Sequence, residues 1–207
     1  MKCWTVLAMM LGGSLLAGCT STSTVHYDLN SSPSTPPKGG QAPVAYELSD
    51  VSVPEIFDVS SLVVRQPNDS MMVLSHDKWV APLGQVVRSA LTEALTQQLG
   101  MPPIQSILSS AQLQKARLNN VYVALQQFDM RPAKQASITV LWRIDFADKR
   151  NKDLTCYSVF SQPVTPGVLP LVVAQQKNVQ ALAAQIASAL TNGKAPQAAR
   201  CQTVKTS

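Results

Sequence analysis

The spacing of apolar residues along the chain predicts two long helices. In Trp79–Leu99 apolar residues recur at intervals of three and four, which places them on one face of an amphipathic helix. Pro82 is expected in the first turn of this helix, where its missing N–H is harmless, and Gly100 is expected to end it. A second face with the same period covers Leu171–Leu190, and Asn192–Gly193 is a stop signal behind it.

Elsewhere apolar and polar residues alternate, which predicts strands. The clearest alternation is in Ser137–Phe146, and Pro67–Asp69 has the turn chemistry that joins two strands in a hairpin. The predicted fold class is α/β: a single domain whose mixed β-sheet contains an antiparallel meander and is packed by the two long helices. The predicted strands are Val25–Leu29, Val44–Pro54, Ser60–Gln66, Ser70–Ser75, Val121–Phe128, Ser137–Phe146 and Leu154–Ser161, and a shorter helix is predicted at Ser110–Leu118.

The amino-terminal segment has the features of a secretory signal peptide. One lysine precedes a short apolar run, Cys3–Ala17, which is shorter than the roughly 20 residues that span a bilayer. The run ends in "LAGC", Leu16–Cys19, which resembles a bacterial lipobox. That resemblance implies that residues 1–18 are removed and that Cys19 is lipidated as the first residue of the mature chain. An ordinary signal peptide with an incidental cysteine is the alternative.

The residue after the cysteine bears on location. Thr20 stands where an Asp typically means inner-membrane retention in such lipoproteins, so the expected location is the outer membrane, facing the periplasm. The expected organisation continues with a leash at residues 19–24, a domain at 25–193 and a tail at 194–207. A Pro- and Gly-rich connection at 30–43 interrupts the domain and is expected to be exposed.

Composition and charge exclude several classes of protein. The chain has 207 residues, enough for one domain with a core, and its formal net charge of +5 is well short of a nucleic-acid signature. The cationic cluster Lys149–Lys152 is flanked by Asp148 and Asp153, which is typical of a solvated turn. No further apolar run reaches spanning length, so the chain is expected to be soluble except at its anchor.

Two cysteines remain once Cys3 is removed and Cys19 is lipidated. Cys156 and Cys201 then form an even pair in an oxidising compartment, which favours one disulfide between a strand and the tail. Two free thiols too far apart to bridge are the alternative.

The chain lacks a constellation for catalysis. Ser75, His76 and Asp77 are neighbours in sequence, and neighbours do not converge as a catalytic triad must. No G-x-S-x-G elbow and no metal-ligand spacing occurs, so no catalytic residue, cofactor or metal is expected. His76 and Asp77 are instead predicted to cap the long helix.

A few residues are candidates for partner contacts. Met71 and Met72 are adjacent in a predicted strand, so one of them must point away from the core, and Met forms adaptable binding surfaces. Arg65 and Arg143 are further candidates. Trp79 and Trp142 lie on apolar faces and are expected in the core.

Five segments of the chain together form a recognisable pattern. In order, they are "VPEIFDVSSLVVR" (53–65), "HDKWVAPL" (76–83), "VYVALQQFD" (121–129), "LWRI" (141–144) and "LAAQIASAL" (182–190). With this order and spacing the chain resembles the ABC-type transport auxiliary lipoproteins, which accompany paraquat-inducible and other mammalian-cell-entry (MCE) transport systems. Tyr27 with Leu29 matches the first strand of that family, and the Pro-rich insert and "EIFD" depart from its pattern and leave the subfamily open.

The resemblance implies a periplasmic α/β domain similar to the amino-terminal domain of TolB-type proteins, and a non-enzymatic role. It implies that the partner is a periplasmic MCE-type protein, part of an inner-membrane complex that conducts lipids, which the lipoprotein docks near the outer membrane. A pilotin-like or structural envelope lipoprotein and a lipid carrier with its own cavity are the alternative functions. Assembly with further copies of the chain into a homo-oligomer stays open for each of them. No nucleic acid is expected among the partners.

Overall fold

The computed structural model describes residues 23–30, 44–104, 109, 118–148, 150–197 and 199–204. The predicted signal peptide at 1–18, the lipidation site Cys19, most of the 30–43 connection and nearly all of the Ser110–Leu118 helix lie outside these residues. The described elements are β1 (Val25–Tyr27), β2 (Tyr46–Leu48), β3 (Ser61–Arg65), β4 (Met71–Trp79), α1 (Leu83–Leu99), β5 (Asn119–Arg131), β6 (Gln135–Asp145), β7 (Asp153–Pro163), α2 (Val168–Asn192) and β8 (Arg200–Val204).

The larger sheet is built on the predicted antiparallel meander. Its strand order is β2-β5-β6-β7-β8, with β2 parallel to β5 and every other pair antiparallel. The register shifts between Leu125 and Gln127, and Ala133 adopts a positive φ of 56° in the β5–β6 turn. Ile138, Val140, Trp142 and Ile144 of β6 are buried on one face, as their alternation predicts.

The smaller sheet has the order β1-β4-β3. β3 and β4 form the predicted antiparallel hairpin, whose turn places Asp69 at φ 64°. β1 runs parallel to β4 and pairs only with its last three residues, Asp77–Trp79. The α/β class is therefore confirmed, with the strands divided between two mixed sheets.

Both long helices end as the sequence predicts. Gly100 (φ 76°) and Gly193 (φ 64°) take the left-handed conformation, and their N–H groups bond back to the carbonyls of Thr96 and Ala189. α2 packs on β6 and β7, and α1 packs against α2. The apolar face of each helix therefore lies in the core.

The start of α1 corrects one prediction. His76 and Asp77 do not cap the helix, because they and Trp79 belong to β4, where Asp77–Trp79 pair with β1 on one side and Lys78 pairs with Ser61 of β3 on the other. Helix α1 begins at Leu83, directly after Pro82. Trp79 is nevertheless a core residue, as predicted, and meets the ring of Phe128 edge-on at 5.9 Å between centroids.

The carboxylate at the amino terminus of α1 comes from Asp58 instead. Its Oδ1 accepts a hydrogen bond of 3.1 Å from the N–H of Gly84, in the first turn of the helix. Asp77 has a different role, since its Oδ1 accepts a 2.8 Å hydrogen bond from the hydroxyl of Tyr27. Burial and this hydrogen bond raise the pKa of Tyr27.

Candidate functional site

The larger sheet has one face covered by α2 and one face open. On the covered side Ser158 donates a hydrogen bond to Gln185 of α2 and accepts one from Trp142. These bonds show that the side chains of Trp142 in β6 and Ser158 in β7 point toward α2. Side chains at alternate positions point the other way. Among these, four large apolar residues are 40% to 59% exposed; they are Tyr122, Leu141, Tyr157 and Val159, here called the open-face strip.

Strand register makes the open-face strip continuous. Leu141 of β6 lies directly opposite Tyr157 of β7, and Val159 follows two residues later on the same face. On the other side Leu141 is opposite Ala124 of β5, two residues from Tyr122. Because directly opposite residues have Cβ atoms about 5 Å apart, the four side chains form one diagonal patch across three strands.

Matched charges surround this patch. Arg143, opposite Tyr122, forms an ion pair with Asp145 on the same strand. Further along β5, Asp129 accepts hydrogen bonds from Arg65 (2.6 Å) and Arg131 (2.8 Å). Arg131 also contacts Asp69 at 2.9 Å, and hydrogen bonding to Asp129 raises the pKa of Arg131. The open-face strip is therefore an apolar surface with a charge-balanced polar surround, as protein-binding surfaces commonly are.

A groove of about 720 Å³ lies at the end of the sheet, where the loop at Pro54–Phe57 faces the β5–β6 hairpin. Ile56 and Phe57 contribute apolar surface, but most of the lining is polar, including Gln127, Asp129 and Lys134. A mostly polar lining does not suit lipid acyl chains, which need an apolar cavity.

The predicted partner-contact residues do not share one surface. Met71 and Arg65 are opposite each other in the smaller sheet, and Arg65 is engaged by Asp129. Met72 is exposed on the neighbouring position of β4, whereas Arg143 lies in the larger sheet beside the open-face strip. The open-face strip itself was not predicted, although the apolar residues on the second face of the predicted strands were the signal for it.

The two histidines lie in separate strands, His26 in β1 and His76 in β4. Ser75, His76 and Asp77 are consecutive in β4, so His76 points to the opposite face from the other two and no triad can form. No group of three His, Cys, Asp or Glu residues suited to a metal ion occurs in the described part of the chain.

The remaining predicted site residues are the two cysteines of the folded domain. Cys156 and Cys201 are directly opposite each other in β7 and β8 and are joined by a disulfide bond. Neither α1 nor α2, the helices of the described ranges, is long and apolar enough to cross a membrane.

These features define a small mixed α/β domain with an exposed apolar strip on one sheet face and, in its described residues, no cluster of side chains suited to a metal ion. The model of the ABC-type transport auxiliary lipoprotein component family matches residues 27–187. The chain belongs to this family of lipoproteins.

Solved structures share the fold. One is the crystal structure of an uncharacterized protein, with a TM-score of 0.62 and 17% identity over 81% of this chain and 98% of that chain. Another is protein XCC0632 from Xanthomonas campestris, of the DUF330 family, with a TM-score of 0.56 and 11% identity over 83% of this chain and 94% of that chain. A comparison with curated proteins finds no significant match.

Proposed function

We propose that this protein is the non-enzymatic auxiliary lipoprotein of an MCE-type lipid transport system. In this role it is held on the periplasmic side of the outer membrane through Cys19 and docks the periplasmic MCE conduit there. The observation that carries the proposal is the family match over residues 27–187. The "LAGC" boundary at Leu16–Cys19, followed by Thr20, supports the anchor and its location.

The open-face strip is the surface we assign to the MCE partner. It consists of two tyrosines and two aliphatic residues on the rigid strands β5–β7, and aromatic anchors of this kind dominate many protein interfaces. Arg143 lies at its edge and retains the role of partner contact predicted from the sequence. Its ion pair with Asp145 is a surface pair, which affects specificity more than affinity.

The anchor keeps the domain close to the membrane. Cys19 is six positions before Val25, the first residue of β1, so the two are at most about 20 Å apart. A domain on such a short leash cannot cross the periplasm with a lipid. This geometry suits a fixed terminus that a long conduit reaches, and it is unfavourable for a shuttling carrier.

The anchor and the docking surface are tested together in cells that carry the full chain. Cys19→Ala is expected to abolish palmitate labelling and to release the protein from the outer-membrane fraction. Leu141→Lys is expected to abolish crosslinking to the MCE protein encoded beside the gene, because it places a charge in the centre of the open-face strip. Leu169→Lys is the control, since Leu169 is an exposed apolar residue outside the strip, on α2, and is 62% exposed against 40% for Leu141.

Other outcomes favour the other functions. Equal crosslinking in Leu141→Lys and Leu169→Lys would reject the strip as the docking surface. Co-purification of a secretin would favour a pilotin. Stoichiometric phospholipid in the purified wild-type protein, without association with an MCE protein, would favour a lipid carrier.

A further inference from the structure

Strand β4 is longer than the strand that pairs with its outer edge. β4 spans nine residues, but β1 pairs only with Asp77–Trp79. Among the described residues, Met71–His76 therefore have a strand neighbour only on the β3 side. We call this segment the free half of β4.

The free half exposes apolar side chains on both of its faces. Val73 is 61% exposed and Met72 is 43% exposed, and successive residues of a strand point in opposite directions. Val25, at the start of the adjacent β1, is 46% exposed. Apolar exposure on two faces of an edge strand is unusual for a surface that meets only water, because edges are normally protected by charge or by a covering element.

The direction of β1 relates this surface to the anchor. Because β1 is parallel to β4 with Val25 opposite Asp77, the chain enters β1 from the side on which the free half lies. Cys19 is six residues before Val25, and Met71 is six residues before Asp77 on the paired strand. The reach of the chain before β1, at most about 20 Å, equals the length of the free half at about 3.3 Å per residue. Acyl chains on Cys19 therefore come within reach of Met72 and Val73.

Charges along the same edge suit a phospholipid surface. Lys78 on β4 is positively charged, and His76 on β4 and His26 on β1 each carry an imidazole N–H that can donate a hydrogen bond to a phosphate headgroup. Two nearby carboxylates already have hydrogen-bond partners within the domain. Asp77 accepts a hydrogen bond from the hydroxyl of Tyr27, and Asp28 accepts hydrogen bonds from the backbone N–H groups of Leu29 and Asn30. Exposed apolar residues next to a cation and to hydrogen-bond donors suit an interfacial membrane contact.

We infer that the free half of β4 is a second contact with the bilayer, with Met72 and Val73 seated in the lipid interface next to the anchored Cys19. This contact would fix the orientation of the domain, with its smaller sheet against the membrane, where a single attachment at Cys19 would let it rotate. The inference rests on the proposed function, since it requires lipidated Cys19.

The test uses the full lipidated chain in vesicles of phosphatidylethanolamine and phosphatidylglycerol that contain brominated acyl chains. Val73→Trp introduces a fluorophore at the surface in question, and Leu169→Trp introduces one at an equally exposed site on α2. The tryptophans native to the folded domain, Trp79 and Trp142, are buried and give a common background. We expect at least about twofold stronger bromine quenching, with a blue shift, for Val73→Trp, since its side chain would be shielded from water by lipid.

The outcomes separate this inference from the proposed anchor. Equal quenching at the two sites, in protein that floats with the vesicles and carries palmitate, overturns the inference and leaves the anchor standing. Protein that neither floats nor carries palmitate overturns both. A Val73→Cys variant that crosslinks to a second copy or to another protein in the envelope, instead of to a lipid-soluble probe, overturns the inference by showing a protein on this edge.

Discussion

At the scale of the residue, the fold makes the contribution of one carboxylate to stability depend on pH. Glu93 is partly buried on α1, and its Oε1 accepts a 3.1 Å hydrogen bond from Gln97. Burial, and secondarily the charge of Asp28, raise the pKa of Glu93 above its ordinary value of 4.5. A raised folded-state pKa means that the folded protein holds the proton more tightly than the unfolded chain does. The stability it contributes is complete below pH 4.5 and is lost as the pH rises through the folded pKa.

Glu93→Gln is therefore expected to raise the melting temperature at pH 7, because it removes a charge that the folded state disfavours and retains the hydrogen-bonding shape. The gain should disappear near pH 4, where Glu93 is itself protonated. Thermal melts of both proteins from pH 4 to pH 8 measure it, and Glu55→Gln, in an exposed turn, controls for net charge. A gain that is the same at all pH values would contradict this explanation.

The burial of two polar residues of α2 could not be predicted from the sequence. The helical period identified the apolar face of α2, but it gave no reason to bury Gln175 and Asn178, which are fully buried there. They are buried because Gln175 donates to the carbonyls of Asp129 and Ser137, and Asn178 donates to that of Ala136. These carbonyls belong to strands some 40 residues away, and periodicity carries no information on such partners.

At the scale of the element, the long periodic segments and the carboxyl ends of both helices were predicted well, but the start of α1 and the strand β8 were not. Trp79 stands four residues before Leu83, so it fits the helical spacing, yet pairing with Tyr27 keeps it in β4. β8 was not predicted, because Arg200–Val204 has no clear alternation and forms only by pairing with β7. Both errors come from non-local strand pairing overriding a local pattern.

The amino terminus of α1 provides the prediction at this scale. Asp58→Ala is expected to lower the free energy of unfolding by about 1 kcal/mol, because the N–H of Gly84 loses its acceptor and the helix dipole loses a favourable charge. Asp58→Asn should recover much of the loss, since its side-chain oxygen can still accept the hydrogen bond.

Urea unfolding measures the effect. Asp50→Ala is the matched control, because the Asp50 side chain is almost fully exposed and forms a 3.3 Å surface contact with Arg88. A loss for Asp58→Ala no larger than that for Asp50→Ala would show that Asp58 does not cap α1.

At the scale of the whole molecule, both ends of the described chain are tied to the helices or the sheet by residues distant in sequence. At the amino end, Gln176 of α2 donates to the carbonyls of Asp28 and Asn30, and Asn30 donates to Ser89 of α1. At the carboxyl end, β8 is joined to β7 by the disulfide. The α/β class was predictable from the sequence, whereas the division into two sheets was not, because β1 pairs with a strand some 50 residues later.

Removing the disulfide is expected to lower the stability of the whole domain. It closes a loop with a sequence separation of 45 residues that contains all of α2, so it restricts the unfolded chain considerably. Cys201→Ser is expected to lower the free energy of unfolding by about 4 kcal/mol in the chain-entropy model. Urea unfolding should give the same reduced stability for the wild-type domain in a strong reductant, and the reductant should not affect the variant. Two thiols that react with maleimide in denatured but unreduced wild-type protein would show that the bond is absent and would remove the basis of this prediction.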